Sequence, residues 1–255
     1  MSDERVPLLT RLAMAFRANL LQATWNFERQ QGLGWAWALA PALKRLYPDR
    51  TVRLERLAEH TAYFNTQPTL ASLALGAVAQ LEEQRAAGPG PDAAAMVRIK
   101  NVLGSTLAAL GDRLFWFSLR PFAAALGVLV AITRPASPLA AVVLWLTYAS
   151  VHLGVRVAGV SWGYTEGPSV LTGRLRTRLE VTITLLAYAG CILLGVLVAW
   201  SLAPGGEPRS IAVQSALAAG LGLGLVSAQR ARPSPTQWAL GLGVLGLVAA
   251  WLRQG

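Results

Sequence analysis

The sequence predicts an all-α integral membrane protein, with amphipathic or re-entrant helices at the N-terminus followed by about four or five transmembrane helices. Three observations carry this expectation. Hydrophobic residues make up 54% of the chain and charged residues only 14%, against about 25% charged in an ordinary soluble domain. Long uncharged runs occupy the second part of the chain. The charge is also uneven: residues 1–100 hold 12 of the 23 Lys and Arg and 9 of the 13 Asp and Glu, leaving 11 basic and 4 acidic groups for the other 155 residues. Residues 1–110 therefore read as an amphipathic helical part, cytoplasm-facing and partly membrane-embedded, and residues 111–255 as a transmembrane helical part.

The N-terminal half reads as a chain of helices. Leu8–Gln30 has apolar residues at roughly helical spacing, with Arg11, Arg17 and Arg29 between them. Gly32–Tyr47 carries Trp35 and Trp37 and is interrupted by Pro41. Thr51–Phe64 is a polar amphipathic helix for which Thr51 is the expected cap. Pro68–Ala87 begins apolar and ends in Glu82, Glu83 and Arg85. The run GPGP at 88–91 is a turn or linker, and Pro91–Leu110 is helical again. None of these runs is long and clean enough for an ordinary span. Re-entrant backbone is allowed only where protein or water satisfies it.

Five candidate spans follow. Val181–Ala203 is 23 residues without a charge, and Ser210–Gln229 and Pro233–Leu252 are 20 uncharged residues each, long enough to cross a bilayer. Pro135–Val155 is a fourth. Leu114–Thr133 is a weaker fifth, interrupted by Arg120 and Pro121. The loops bearing Arg174, Arg176 and Arg178, and Arg230 and Arg232, are expected in the cytoplasm. That orientation puts the N-terminal half inside and the C-terminus outside.

Composition excludes several function classes. The net charge of +10 does not point to nucleic acid, because the basic groups are scattered in short loops between apolar runs. Cys191 is the single cysteine and His60 and His152 the two histidines, so neither a disulfide framework nor a metal centre is expected. His60, on a polar helix, is expected to be solvated, and His152 to bond a neighbouring helix. MSDERVPLL lacks the apolar core of a signal peptide. Gly241–Gly246 matches G-x-G-x-x-G but lies inside an apolar 20-residue run with no strand before it, so its glycines suit close helix packing in lipid. No cofactor is expected.

Three polar blocks stand out from this apolar background. Gln22, Trp25, Asn26 and Arg29 would share one helical face, with Glu28 at its side. An amide, a carboxylate and an indole suit a sugar, pairing with hydroxyls and covering C–H patches. An interfacial helix with its tryptophan at headgroup level is an equal reading. In the turn Phe64–Pro68, Asn65 or Thr66 caps the next helix, or Asn65 is presented to a ligand. In Gly111–Pro121, Asp112, Phe115, Trp116, Leu119 and Arg120 fall on one helical face, and Pro121 crowds the carbonyl of Phe117. A broken helix beside polar groups is a transporter device. The alternative is that Asp112 caps a helix and Arg120 snorkels or pairs with an acid.

Together these blocks resemble the IID component of the mannose-family sugar phosphotransferase permeases. The match rests on QATWNFERQQGLGWAWALAPALKRLY at 22–47, FNTQP at 64–68, GDRLFWFSLRP at 111–121 and HLGVRVAGVSWGYTEG at 152–167, with weaker similarity through RPSPTQWALGLGVLG at 232–246. Gln67 departs from the pattern, standing where a histidine is common in the family. The resemblance implies a non-catalytic permease subunit in a bacterial inner membrane. It implies that the chain forms, with a separate IIC chain, the path carrying a hexose for phosphorylation by IIB, with phosphate relayed through IIA. It also implies trimers of IIC–IID pairs. Trp25, Asn26, Glu28, Asn65, Asp112 and Arg120 are then expected in or beside the sugar path or the IIC contact. Two other readings compete: a membrane enzyme using Glu28 and Asp112 as an acid–base pair, and a regulatory or scaffold protein derived from an incomplete phosphotransferase system.

Overall fold

The structure, a computed structural model, describes residues 6–202. The candidate spans Ser210–Gln229 and Pro233–Leu252, the glycine motif at 241–246, and the C-terminus lie outside the described residues. Eight α-helices follow one another among the described residues: α1 Leu8–Arg17, α2 Gly32–Leu46, α3 Arg50–His60, α4 Ala71–Ala87, α5 Ala93–Leu114, α6 Arg120–Thr133, α7 Leu139–Glu166 and α8 Arg174–Leu202. Among the described residues, three stretches are long and apolar enough to cross a membrane: Ala93–Thr133, Leu139–Leu171 and Arg174–Leu197. They bear exposed apolar side chains such as Trp145, Leu146, Leu185 and Leu194, as surfaces facing hydrocarbon do.

Helix α4 is the centre of the fold. Every residue from Ala71 to Ala79 is buried, as expected of a helix that is apolar all round. It lies on α7 with backbones nearly touching. A Cβ added at Gly76 would stand 2.0 Å from the Val160 carbonyl oxygen, and one at Gly163 would stand 1.9 Å from that of Leu73. Ser72 fits against Gly159 and donates to the Val155 carbonyl at 3.2 Å. The small pairs Ser72/Gly76 and Gly159/Gly163 are each four residues apart, the spacing that permits close crossing.

The two helices run the same way, since Ser72 meets Val155, Gly76 meets Val160 and Gln80 meets Gly167. The turn preceding α4 therefore lies beside the interior of α7. There Thr69 Oγ1 and His152 Nδ1 are 2.9 Å apart, about 20 Å along α7 from its start at 1.5 Å per residue. Helix α1 runs antiparallel to α7, with the Arg11 guanidinium over the Tyr164 ring and Arg156 donating to Asn19. Helices α1 and α2 thus form a hairpin whose tip, residues 18–31, lies near the α4 turn.

Several sequence expectations are corrected. Helix α1 stops at Arg17 and gives way to a 3-10 turn, Ala18–Leu20, and a loop. The expected helix to Gln30 does not form, so Gln22, Trp25, Asn26 and Arg29 share no helical face. Asn26 competes with the helix locally: its Oδ1 accepts from Arg29 N at 2.8 Å, and Gln30 takes a positive φ of 53°. Pro41 does not interrupt α2 but sits inside it. Asp49, not Thr51, caps α3, accepting from Val52 N at 2.9 Å. His60 is fully buried rather than solvated.

Candidate functional site

The turn at 64–70 is assembled from both sides. Gln31 is buried and bonds the Thr66 backbone twice, its Nε2 donating to Thr66 O at 2.8 Å and its Oε1 accepting from Thr66 N at 3.0 Å. Gln31 N donates to Phe64 O at 2.9 Å. Gln67, rather than Asn65 or Thr66, satisfies the start of the next helix: its Oε1 accepts from Thr69 N at 2.7 Å and from Leu70 N at 2.9 Å. Two glycines of α5 let this turn lie directly on that helix. A Cβ at Gly104 would stand 3.0 Å from the Asn65 carbonyl oxygen, and one at Gly111 would stand 2.5 Å from Gln67 Cβ.

This seating places Asn65 opposite the polar face of α5. Asn65 and Asp112 line one open cleft of about 700 Å³, together with Tyr63, Asn101 and Ser105. Asn101, Ser105 and Asp112 recur at 0, 4 and 11 along α5, one face of a helix. The cleft therefore offers amide, hydroxyl and carboxylate groups beside the exposed ring of Tyr63. This donor and acceptor set matches a polyhydroxylated ligand. Asn101, Ser105 and Tyr63 were missed in the sequence. The four-residue spacing of Asn101 and Ser105, read on from Asp112, is the signal that could have found the first two.

The other residues singled out in the sequence lie elsewhere. Glu28 is exposed, 3.9 Å from Arg29, and lines a neighbouring cleft of about 510 Å³ that also reaches Tyr63. Trp25 is 44% exposed and stands edge-on to Phe27. Asn26 spends its side chain on the loop itself, bonding Arg29 N and the Thr24 carbonyl. Arg120 is exposed and lies over the Trp116 ring at 5.2 Å.

The expected face from Asp112 to Arg120 is also corrected. The helix is not broken, but Phe115–Leu119 forms a π-helical turn in which Arg120 N donates to Phe115 O. The wider turn relieves the crowding of Pro121 on the preceding carbonyls. It also breaks the 3.6-residue register, so Phe115 and Leu119 point inward while Trp116 and Arg120 face out. Asp112 lies within α5, and the cap of that helix is Asp92, accepting from Ala95 N at 2.7 Å. Arg113, next to Asp112, pairs with Glu180 at 2.9 Å.

A buried polar cluster stands behind the site and was not foreseen. Glu82, fully buried, accepts from Tyr47 Oη at 2.7 Å and lies 3.1 Å from His60 Nε2 and 3.4 Å from Arg85 Nη1. Arg85 also reaches Glu59 at 2.6 Å, and Lys100 donates to the His60 carbonyl at 3.3 Å. Burial holds the His60 pKa below its ordinary value, and the Lys100 charge adds to this. Burial works against ionised Glu82, but hydrogen bonds from His60 and Tyr47 and the Arg85 charge outweigh it and lower its pKa. Tyr47 is raised by burial and by its bond to Glu82. Lys100 also faces the rings of Trp35 and Phe64, at 5.5 and 5.9 Å, which are tilted 42° to each other, and Phe64 adjoins Asn65. The cluster thus ties α2, α3, α4 and α5 together behind the cleft.

Residues 9–203 match the family described as the mannose/fructose/sorbose family IID component of the phosphotransferase system. The mannose-specific EIID component of Escherichia coli (strain K12) is 40% identical over 156 residues, covering 61% of this chain and 54% of that protein. The chain thus spans about half the length of the E. coli relative it matches. The sorbose-specific EIID component of Klebsiella pneumoniae is 35% identical over 190 residues, covering 73% and 68%. Among solved structures, the mannose transporter ManYZ in complex with microcin E492 holds a chain that is 29% identical, with a TM-score of 0.58 and 96% of each chain covered. A second, the structure of a membrane protein, is 28% identical with a TM-score of 0.66 and 97% of each chain covered. The chain belongs to the mannose/fructose/sorbose family of phosphotransferase system IID components.

Proposed function

We propose that the chain is the non-catalytic IID subunit of a sugar permease, forming with a IIC membrane chain the path by which a hexose enters for phosphorylation by IIB. The observation that carries this reading is the cleft between the Asn65 turn and the Asp112 face of α5. Hydrogen-bonding side chains stand there beside a helix long and apolar enough to span. Polar groups at such a position are costly without a polar guest or partner.

In this reading Asn65, Asn101, Ser105 and Asp112 exchange hydrogen bonds with the sugar hydroxyls, and Tyr63 covers an apolar edge of the ring. Glu28 lies on the adjoining cleft, on the approach to it. The chain itself supplies no phosphoryl transfer, which belongs to IIB with phosphate from IIA. The pairing with IIC is supported by the mannose transporter ManYZ among the similar structures, and trimers of such pairs complete the assembly. The termini follow the loop charges, N-terminus inside and C-terminus outside.

The test is uptake in a hexose-negative strain supplied with this chain and its IIC, IIB and IIA partners. Wild type restores uptake of labelled hexose, and Asn65→Ala with Asp112→Asn abolishes it at equal membrane abundance. Full uptake by the double variant overturns the reading.

A further inference from the structure

His152 is a half-buried imidazole within the apolar stretch of α7, beside exposed Leu153. Its Nδ1 stands 2.9 Å from Thr69 Oγ1. The same hydroxyl accepts from Gln67 Nε2 at 3.4 Å, and Gln67 Oε1 accepts from Thr69 N at 2.7 Å. Gln67 and Asn65 belong to one turn, which Gln31 holds from its other side through Thr66. The imidazole is itself fixed. The Tyr148 ring, one helical turn back, stacks on it at 5.6 Å, and the buried Phe115 ring meets it edge-on at 5.9 Å. Phe115 follows Asp112 by three residues and opens the π-helical turn. His152 thus joins the turn bearing Asn65 to the helix bearing Asp112, while lying outside the lining of the cleft between them.

We infer that His152 is a positioning residue for hexose binding: through Thr69 and Gln67 it holds the Asn65 turn at its working distance from Asp112. This rests on the proposed sugar cleft. Packing alone does not account for a histidine here. Leucine fills such a position in a spanning helix without the desolvation cost of an imidazole, but it offers nothing to the Thr69 hydroxyl. Ser72 ties the same region to α7 by backbone carbonyls, donating to Thr69 O at 2.8 Å and to Val155 O at 3.2 Å. The bond at His152 is different, because the Thr69 hydroxyl joins α7 to the Gln67 side chain that caps the turn. A sugar held between an amide and a carboxylate needs both within about 0.5 Å of the right place. Loss of the His152 bond leaves the fold standing on Gln31 and Ser72 and lets the Asn65 turn shift.

The test is equilibrium binding of labelled mannose to the full chain co-purified with the proposed IIC partner. His152→Leu weakens binding about fivefold, the effect of one hydrogen bond. His152→Asn, whose amide reaches the place of Nδ1, restores it. In an Asn65→Ala background His152→Leu weakens binding little further, because the group it positions is gone. A full fivefold loss in that background overturns the inference, since the histidine then acts on the fold at large, and so does a His152→Asn that binds no better than His152→Leu. Wild-type binding by His152→Leu, where Asn65→Ala is weakened, overturns this inference and leaves the sugar cleft standing. Wild-type binding by Asn65→Ala overturns the cleft as the sugar site, and this inference with it. Should His152→Leu fail to accumulate, Thr69→Val removes the same bond from its other side. The same fivefold loss is then expected, and wild-type binding by Thr69→Val overturns the inference.

Discussion

Arg17 Nη1 donates to the Trp37 carbonyl oxygen at 3.1 Å, the carbonyl that Pro41 leaves without a helical partner four residues on. The same guanidinium lies over the Trp37 ring at 4.8 Å. One side chain of α1 thus repairs the defect that a proline makes in α2 and pins the hairpin between them. Arg17→Ala is expected to lower stability by about 1 kcal/mol. Pro41→Ala restores the backbone donor, so Arg17→Ala should cost less in its presence. Thermal unfolding of the two single variants and the double variant in detergent checks this, and strict additivity refutes it.

Glu82 is the keystone of the buried cluster. Glu82→Ala strands Tyr47, His60 and Arg85 around an apolar gap, and a loss of about 3–5 kcal/mol follows from removing one partner of a buried ionic group. Failure to accumulate in the membrane, or a large fall in melting temperature, is the expected result. A melting temperature within a degree or two of wild type counts against it.

The cluster also sets a pH dependence. The His60 pKa is depressed in the folded protein, so the unfolded chain takes up the proton first as pH falls below about 6.5. Stability contributed by neutral His60 is therefore present above that pH and declines below it. Glu82, also depressed, contributes stability present above its unfolded pKa of about 4.5, which is lost at lower pH as the carboxylate protonates. Melting temperature should fall between pH 7 and pH 5.5 in wild type and less steeply in His60→Asn. Identical slopes would speak against His60 as the titrating group.

The α4–α7 crossing depends on Gly163, whose missing side chain leaves room for the Leu73 carbonyl. Gly163→Val forces the helices apart, and poor membrane accumulation is expected. Gly154, which faces open space on the same helix, should accept Ala with little change. Equal tolerance at both positions, measured by fluorescence-detected gel filtration, contradicts the packing described.

The fold class was legible because apolar length is a one-dimensional signal. Leu114–Thr133 falls within a long apolar stretch of the structure, Pro135–Val155 overlaps α7, which begins at Leu139, and Val181–Ala203 overlaps α8, described to Leu202, and the apolar start of the Pro68–Ala87 run was visible in its alanines and leucines. What failed was local competition. Asn26 and Gln30 sit at spacings compatible with a helix, yet their side chain and backbone close a loop. His60 looked solvated because α3 is polar, while its partner Glu82 lies 22 residues away. The turn at 64–68 was marked by its residues, but its seat on α5 depends on Gly104 and Gly111, which nothing in the local pattern distinguishes. Trp116 and Arg120 were aligned with Asp112 by a 3.6-residue count that one π-helical turn cancels.

Hexose affinity of the purified chain, co-expressed with the proposed IIC partner, is the decisive measurement for the proposed sugar site in the Asn65–Asp112 cleft. Titration with labelled mannose should show Asn65→Ala and Asp112→Asn each weakening binding at least tenfold, as loss of one or more hydrogen bonds implies. Arg120→Gln, which alters a residue turned away from the cleft, should bind as wild type. Wild-type affinity in both cleft variants, with melting temperatures unchanged, contradicts the account.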